Sequence, residues 1–179
     1  MTASRPRFSL VVPMYDEADN VAPLLDELAE VLAPVAPFEV ILVDDRSKDD
    51  SVARILAWKT AHAAEWLRLV CMAKNGGQSC AVLAGALHAS GPFVMTIDGD
   101  RQNDPRDLLR MLDLLEKGEA DGVTGIRAKR QDTFVRRVSS RIGNGVRNWI
   151  TGDRVADSGC GIKGYRTELF LAVPRFNGM

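Results

Sequence analysis

The stretch FVMTIDGD, Phe93–Asp100, joins a short apolar run to two carboxylates, and this junction indicates the fold. Phe93–Ile97 has the length and apolar character of a buried strand. Three similar runs precede it: Phe8–Val12, Glu39–Val43 and Leu67–Met72. Each is followed by a helical pattern. This alternation predicts an α/β fold, a three-layer sandwich with a mostly parallel central sheet.

The helical patterns fill the intervals between the predicted strands. Leucines and valines recur at helical spacing from Val21 to Leu32, and Pro34 lies just beyond them. Further helices are predicted over Ser51–Trp58, Ser79–Ala89 and Pro105–Leu115, and a weaker strand over Gly122–Ile126. A proline suits the first turn of a helix because its missing N–H has no partner there.

The composition is that of one globular domain, with 179 residues, 46% apolar and 26% charged. No apolar run approaches the ~20 residues that a spanning helix needs. The N-terminus carries no secretory signal, so we expect a cytoplasmic location. Three cysteines without CxxC spacing and two histidines disfavour a disulfide framework, a zinc site and histidine-based catalysis.

Charge is divided unevenly along the chain. Residues 1–125 hold 12 basic and 20 acidic side chains, a net charge of −8, whereas residues 126–179 hold 11 and 4, a net charge of +7. Such a division indicates one region for cations and another for anions, although uneven solvated charge is the simpler interpretation.

Three of the predicted strands run directly into acidic segments. The first leads to Asp16-Glu17, the second to Asp44-Asp45 and the fourth to Asp98-Gly99-Asp100. In open parallel sheets, ligands bind beyond the carboxyl ends of the strands, near the point where the strand order reverses. Carboxylates gathered there repel one another unless they are neutralised, and a divalent cation such as Mg²⁺ neutralises them.

Within the fourth segment, Asp98, Asp100 and Gln102 occupy alternate positions. An extended backbone would point all three side chains to one side, as a metal site requires. Gly99 adds no side chain between them and permits close approach of a ligand.

A glycine-containing segment, Lys74–Gln78, follows the third strand and opens a helix. Glycines and a lysine at a helix N-terminus suit an anion, and a plain turn is an equal alternative. The segment does not match a P-loop, and the turn after the first strand lacks the glycine pattern of a dehydrogenase.

A basic amphipathic helix is predicted in the second half of the chain. Arg136, Ser140, Asn144 and Arg147 line one of its faces, opposite an apolar face. Arginine and serine side chains suit phosphate oxygens, so this face is a candidate acceptor-phosphate site. Attraction to an anionic membrane surface is compatible with it. An ordinary solvated face is the alternative, and nucleic-acid binding is disfavoured.

Ordered motifs across nearly the whole chain resemble those of family 2 glycosyltransferases of the GT-A type, in the branch of dolichol-phosphate mannosyltransferases and polyprenyl-phosphate glycosyltransferases. Val11–Asn20 is similar to the family's V-V-P-x-Y-x-E-x-x-N, and Val43–Asp49 to its V-D-D-x-S-x-D. Asp98–Pro105 resembles its D-x-D-x-Q-x-x-P, with Arg101 in place of a commonly apolar residue. Asp157–Lys163 is similar to its D-x-G-C-G-F-K.

The resemblance implies a role for each matching residue. Nucleotide-binding residues would be Pro13, Tyr15, Glu17, Asp44, Asp45, Lys74 and Asp98. The metal, Mg²⁺ or Mn²⁺, would be held by Asp98, Asp100 and Gln102. The acceptor phosphate would meet Arg127, Arg136 and Ser140, and the cleft would be lined by Asp157 and Lys163. Asp98, Asp100 and Arg127 would carry the chemistry.

The implied activity is inverting, metal-dependent transfer of a sugar from a nucleotide-diphospho-sugar to a polyprenyl or dolichyl phosphate. Residues 1–104 would form the nucleotide-binding half and residues 105–179 the acceptor-binding half of one domain. Two alternatives remain open: a relative that uses a glycan hydroxyl, with Asp157 as the base, and a non-catalytic nucleotide-sugar-binding module. Relatives extend further, so we expect a chain truncated at its C-terminus. The full-length protein would lie at the inner membrane, with an oligomer possible.

Overall fold

A computed structural model of the chain describes residues 5–125 and 160–173. Its strands are β1 (Ser9–Met14), β2 (Glu39–Asp44), β3 (Leu67–Cys71), β4 (Phe93–Thr96), β5 (Gly122–Thr124) and β6 (Lys163–Arg166). Its helices are α1 (Ala18–Leu32), α2 (Ser51–Ala61), α3 (Gln78–Leu87), α4 (Arg106–Glu116) and α5 (Thr167–Ala172), and a short 3₁₀ turn (Ala33–Val35) follows α1. No helix in these two ranges is both long and apolar enough to cross a bilayer.

The six strands form one sheet in the order β3-β2-β1-β4-β6-β5. Four of them, β3, β2, β1 and β4, are parallel, and β6 pairs antiparallel with β4 and with β5. The predicted α/β fold with a mostly parallel central sheet is therefore confirmed. β6 and α5 were not predicted: the sequence KGYR of β6 has no apolar alternation, and the strand takes its place by pairing with β4.

Side chains of the central strands alternate between two apolar layers, as the pleat requires. In β1, Leu10 and Val12 face the larger layer, which also contains apolar side chains of α1, α2 and α4. Val11 faces the opposite, smaller layer, which contains alanines of α3 and apolar side chains of α5. Because both faces of the strands are covered, β2 is buried at every position, as a strand in the middle of an α/β sheet should be.

The strand order places a topological switch between β1 and β4. From β1 the chain proceeds outward to β2 and β3, and then returns across α3 to add β4 on the other side of β1. The connections after β1 and after β4 therefore diverge to opposite sides, which leaves a crevice between the carboxyl ends of these two strands. Both of the acidic segments that follow β1 and β4 border this crevice.

A buried carboxylate fastens the opposite, amino-terminal edge of the sheet. Glu39, at the start of β2, is only 7% exposed, yet it accepts hydrogen bonds from the Ser9 hydroxyl (2.6 Å), the Ser90 amide (2.7 Å) and the Ser90 hydroxyl (2.6 Å). Arg68 of β3 donates to its second oxygen at 2.9 Å. The Ser9 hydroxyl in turn accepts the Gly91 amide. One side chain thus joins β1, β2, β3 and the segment before β4.

Burial alone would raise the pKa of Glu39, but the hydrogen bonds from Ser9, Ser90 and Arg68 outweigh it and lower the pKa below the usual glutamate range. A lowered folded-state pKa means that the ionised carboxylate stabilises the fold. This stabilisation is present above the pKa of an unfolded glutamate and is lost as the pH falls through the folded-state value.

Replacing Glu39 by glutamine should lower the free energy of unfolding near neutral pH by about 2 kcal/mol, because an amide cannot accept from all of these donors. Urea unfolding of both proteins checks this. The difference should shrink at acidic pH, where wild-type Glu39 is protonated as well. Glu30→Gln on the exposed face of α1 is the matched control and should change little. An equal effect of the two substitutions would contradict the role of the buried network.

Candidate functional site

A cleft of about 260 Å³ opens at the switch between β1 and β4. The end of β1 and the segment after it contribute Pro13, Met14, Tyr15 and Glu17 to its walls, and the segment after β4 contributes Asp98, Gly99 and Asp100. Asp45 from the end of β2, and Gln78 and Ala81 from α3, complete the lining. The structure therefore brings residues from three strand ends and one helix N-terminus around a single space.

The loops that follow β1 and β2 are joined by hydrogen bonds between carboxylates, hydroxyls and backbone amides. Asp16 accepts the Lys48 amide at 2.6 Å and donates its own amide to the Ser47 hydroxyl at 3.0 Å. The amide of Glu17 donates to the Ser51 hydroxyl at 3.0 Å. Tyr15 precedes these residues in the loop, lines the cleft and is 40% exposed. The loop that carries Tyr15 and Glu17 is thus held by its neighbour, while the tyrosine ring faces open space.

Asp49 fixes the start of α1 against the same loop. Its carboxylate accepts the Ala18 amide at 3.0 Å and both the amide and the hydroxyl of Ser51, at 2.9 and 2.6 Å. The hydrogen bond from the Ser51 hydroxyl, aided by these amides, lowers the pKa of Asp49. The carboxylate stays ionised in the folded protein and supplies a negative charge where the α1 dipole is positive.

The adjacent carboxylates Asp44 and Asp45 have different surroundings. Asp44 is 4% exposed and accepts the Ser47 amide with both oxygens at 3.3 Å. Asp45 is 3% exposed and lines the cleft, and its two oxygens accept the amides of Gly76 and Gly77 at 2.7 Å each. These glycine amides already have an anion of the protein's own as their partner. Of the two interpretations left open for Lys74–Gln78, these contacts favour the turn, which Asp45 closes.

Asp98 is held on two sides by residues distant in sequence. Gln78 Nε2 donates to its Oδ1 at 2.5 Å. On the other side the backbone of Gly161 approaches so closely that a Cβ on this glycine would lie 1.8 Å from Asp98 Oδ2. Thr96 donates its hydroxyl to the Gly161 carbonyl at 3.1 Å, which keeps this backbone in place. Only glycine is compatible with the observed position of the Asp98 carboxylate.

The segment after Asp98 turns instead of continuing as an extended chain. Arg101 has a left-handed φ of 60°, and Asp100 Oδ1 accepts the amide of Gln102 at 3.0 Å. The expectation of an extended backbone with three side chains on one side is therefore wrong. Asp98 and Asp100 line the cleft, whereas Gln102 is exposed and does not. A short Asp side chain that captures a nearby backbone amide favours such a turn over an extended strand.

Backbone strain is concentrated around the cleft. In residues 5–125 and 160–173, four non-glycine residues have positive φ, and three of them lie in the loops at this edge of the sheet: Asp16 (54°), Arg46 (68°) and Arg101 (60°). Such conformations persist where surrounding contacts impose them, and they collect at functional sites. Arg101 also forms an ion pair of 3.8 Å with Glu27 of α1, which ties the turn to that helix.

Several predicted site residues lie elsewhere. Lys74 is exposed and Lys163 begins β6 opposite Thr96, and neither lines the cleft. A further group falls outside the residues that the structure describes: Arg127, Arg136, Ser140 and Asp157. Two contributors were not anticipated as site residues, Gln78 and Gly161. Gln78 ends the glycine-containing segment Lys74–Gln78, and Gly161 belongs to the Asp157–Lys163 motif, but nothing in either pattern indicated a contact with Asp98.

The carboxylates Asp98 and Asp100 offer oxygen ligands of the kind that Mg²⁺ and Mn²⁺ prefer. No group of three or more His, Cys, Asp or Glu side chains that could hold a metal occurs among the described residues. Mg²⁺ usually takes one or two protein carboxylates together with substrate phosphates. Two carboxylates on the wall of an open cleft fit an ion that binds together with a phosphate-bearing ligand.

Comparison with known proteins connects this cleft to a family. The family model for glycosyl transferase family 2 matches residues 9–172. An undecaprenyl-phosphate 4-deoxy-4-formamido-L-arabinose transferase from Edwardsiella ictaluri is 36% identical over 166 residues, which cover 92% of this chain and 50% of that protein. A dodecaprenyl-phosphate galacturonate synthase from Rhizobium johnstonii is 36% identical over 167 residues, 92% of this chain and 49% of that protein. The chain thus spans about half the length of these relatives.

Solved structures show the same fold. A mannosyltransferase from Pyrobaculum calidifontis, in complex with GDP-Man and Mn²⁺, superposes with a TM-score of 0.68 at 25% identity, over 94% of this chain and 46% of that one. A glucosyl-3-phosphoglycerate synthase from Mycobacterium tuberculosis superposes with a TM-score of 0.72 at 21% identity, over 93% of this chain and 58% of that one. Because the family model matches residues 9–172, which is nearly the whole chain, the chain belongs to glycosyl transferase family 2.

Proposed function

We propose that this chain is the catalytic domain of an inverting glycosyltransferase. It transfers a sugar from a nucleotide-diphospho-sugar to a polyprenyl phosphate and depends on Mg²⁺ or Mn²⁺. The observation that carries the proposal is the cleft at the β1–β4 switch, where Asp98 and Asp100 stand on one wall and Tyr15 and Glu17 on another. The names of the polyprenyl-phosphate-dependent relatives support the choice of acceptor.

The donor nucleotide binds in the part of the cleft that β1 and β2 border. Tyr15 offers an exposed aromatic face to the base, and Pro13 and Glu17 flank it. Glu17 is oriented by Asn20, whose side-chain amide donates to it at 2.5 Å. The family resemblance assigns Asp44 to the ribose and Lys74 to the diphosphate, but neither lines the cleft, so Tyr15 and Glu17 carry this part of the proposal.

Asp98 and Asp100 would hold the metal, and Gln102, which is exposed and outside the cleft, is the third ligand that the resemblance implies. The ion would supply positive charge to the leaving diphosphate. Asp98, held by Gln78 and Gly161, presents its carboxylate in a fixed direction. This fixed direction favours metal binding, because a carboxylate that is already oriented loses little conformational freedom when it coordinates the ion.

The acceptor approaches from the side of β5 and β6. β5 ends at Thr124 and β6 begins at Lys163, which pair with each other at the same edge as the cleft. The Gly125 amide donates to the Ile162 carbonyl at 3.0 Å, so both ends of the intervening segment are anchored there. The proposed acceptor-phosphate residues belong to this segment: Arg127, Arg136 and Ser140. Asp157 belongs to the same segment, and Lys163, which does not line the described cleft, follows it at the start of β6.

The chain needs no general base for this acceptor. A phosphate monoester has a second pKa near 6, so it is largely dianionic at neutral pH and attacks as it is. Attack on the face opposite the leaving diphosphate inverts the anomeric carbon. A hydroxyl acceptor would need a base, for which Asp157 is the candidate. We place the full-length protein at a membrane surface, since its acceptor is a lipid and residues 126–179 carry a net charge of +7.

The test is an assay that offers UDP-sugars and GDP-sugars with Mn²⁺ to polyprenyl phosphate and, in parallel, to free sugar acceptors. Transfer to polyprenyl phosphate with inverted anomeric configuration is the expected result. Transfer only to hydroxyl acceptors would contradict the proposed polyprenyl-phosphate acceptor and favour a glycan hydroxyl. Nucleotide binding with no transfer, in this chain and in longer forms alike, would indicate a non-catalytic binding module.

Asp100→Asn should reduce Mn²⁺-dependent transfer about 100-fold or more, because the amide is a poor metal ligand. The melting temperature should change little, since the Asp100 side chain caps only the exposed turn at Gln102. Initial rates and a thermal melt measure both effects. Asp107→Asn, which removes a nearby exposed charge from the first turn of α4, is the matched control. Undiminished transfer by Asp100→Asn would remove Asp100 from the metal site.

Gly161→Ala should weaken binding of a nucleotide diphosphate with Mn²⁺ about tenfold, because the new methyl group displaces the Asp98 carboxylate. Calorimetric titration measures the loss. Gly122→Ala is the control: its new Cβ would also clash, at 2.7 Å from a ring carbon of Tyr165, but Gly122 lies in β5, the edge strand of the sheet. It should cost stability and leave the titration unchanged. Equal weakening by both variants would show that Gly161 acts through general stability.

Arg136→Ala should raise the KM for polyprenyl phosphate about tenfold or more, because a charged donor to the acceptor phosphate is lost. The affinity for the nucleotide should stay within about twofold. Steady-state kinetics with varied acceptor and a parallel nucleotide titration separate the two quantities. If the affinities for polyprenyl phosphate and for the nucleotide both weaken by the same factor, the helix predicted around Arg136 supports the fold instead of the acceptor.

A further inference from the structure

Gln78 is the first residue of α3 and lines the cleft, where its side-chain amide meets Asp98 from across the switch point. Nε2 of Gln78 lies within hydrogen-bonding distance of Asp98 Oδ1, at 2.5 Å. α3 packs against β1 and β2, whereas Asp98 follows β4. The contact therefore joins two parts of the fold that approach one another only at this edge of the sheet.

The direction of Gln78 is set by the turn that precedes it. Asp45 accepts the amides of Gly76 and Gly77 with one oxygen each, both at 2.7 Å. Asn75 donates its side-chain amide to the Asp45 carbonyl at 3.0 Å. Three successive residues of the turn are thus bound to one buried aspartate at the end of β2, so the entry into α3 has a fixed direction.

The backbone of this turn requires glycine at position 77. Gly77 has a φ of 82°, a region that other residues enter only with strain, and its carbonyl accepts the Ala81 amide of the first helical turn. No atom outside its immediate neighbours lies within 4 Å of the position that a Cβ would take. An alanine at position 77 would therefore perturb the turn through its φ angle alone and would clash with nothing.

We propose that Gln78 is a positioning residue for Asp98, and that Asp45 aims it by closing the Gly76–Gly77 turn. An amide that holds one carboxylate oxygen fixes the direction of the other, as hydrogen bonds to metal-binding side chains commonly do. Asp45 acts on Asp98 through this turn, in addition to lining the cleft itself. The inference rests on the proposed function, in which Asp98 is a metal ligand whose carboxylate must point toward the ion.

The test measures the affinity of wild-type and variant chains for UDP and for GDP in the presence of Mn²⁺ by calorimetry. Gln78→Met keeps the length and volume of the side chain but removes the donor. It should weaken binding of the nucleotide that the wild type prefers about tenfold. Ser79→Ala, at the next and exposed position of α3, should bind as the wild type does.

A second pair of variants tests the turn. Gly77→Ala should weaken binding, and adding Gln78→Met to it should cost little more, since both changes act through the same side chain. Gly118→Ala is the matched control: Gly118 has a similar φ of 70° but lies beyond α4 and does not line the cleft. It should lose comparable thermal stability and keep full affinity. Equal losses of affinity in the two glycine variants would overturn the role of the turn.

A double-mutant cycle decides whether Gln78 acts through Asp98. In the Asp98→Asn background, Gln78→Met should weaken binding by less than about twofold. The same tenfold loss in that background would mean that Gln78 contacts the ligand itself, and the positioning role would be refuted. If the wild-type chain binds neither nucleotide with Mn²⁺, the proposed function fails. If the wild type binds and Gln78→Met binds equally well, only the positioning role fails.

Discussion

The electrostatic constraint on this structure is the crowding of carboxylates at the carboxyl edge of a parallel sheet. Parallel strands that end together bring their following residues together, and here β1, β2 and β4 each lead into acidic segments. Like charges at such a site destabilise the fold unless each has a partner. Most of the partners in the described structure are backbone amides and hydroxyls of neighbouring loops. Asp16, Asp44, Asp45 and Asp49 each accept at least one backbone N–H.

These hydrogen bonds divide the carboxylates into two groups. The four aspartates just named fasten the loops to one another and to the start of α1 or the entry to α3. Asp98 and Asp100 follow β4 and line the cleft, where they accept from the Gln78 side chain and the Gln102 amide. Glu17 lines the cleft as well and accepts from Asn20. Hydrogen bonds thus meet part of the need for a cation that the sequence indicated. Mg²⁺ commonly takes only one or two carboxylates from a protein, and Asp98 and Asp100 are the pair proposed for it.

The sequence predicted the sheet well because its signals are local. Short apolar runs such as Phe8–Val12 indicate strands buried on both faces, and their alternation with helical patterns predicts a mostly parallel sheet. The strand order, with its switch after β3, was not predicted. The sequence also did not predict the direction of the chain after Asp98, since the left-handed turn at Arg101 depends on which side chain captures which amide. Nor did it predict contacts such as Gln78 with Asp98, where two elements meet through the tertiary fold.

The antiparallel strand β6 explains how the later part of the chain reaches the site. Lys163 pairs with Thr96 of β4 and with Thr124 of β5, so the segment between β5 and β6 leaves and returns at the edge that holds Asp98. Two residues before β6, Gly161 contacts the Asp98 carboxylate directly. The pairing of β4 with β6 therefore places Gly125 and Cys160, the described residues on either side of the proposed acceptor segment, at the edge of the sheet that holds Asp98. Under the proposed function, a cation held by Asp98 and Asp100 would offset the charge of the donor diphosphate, and arginines of residues 126–159 would offset that of the acceptor phosphate.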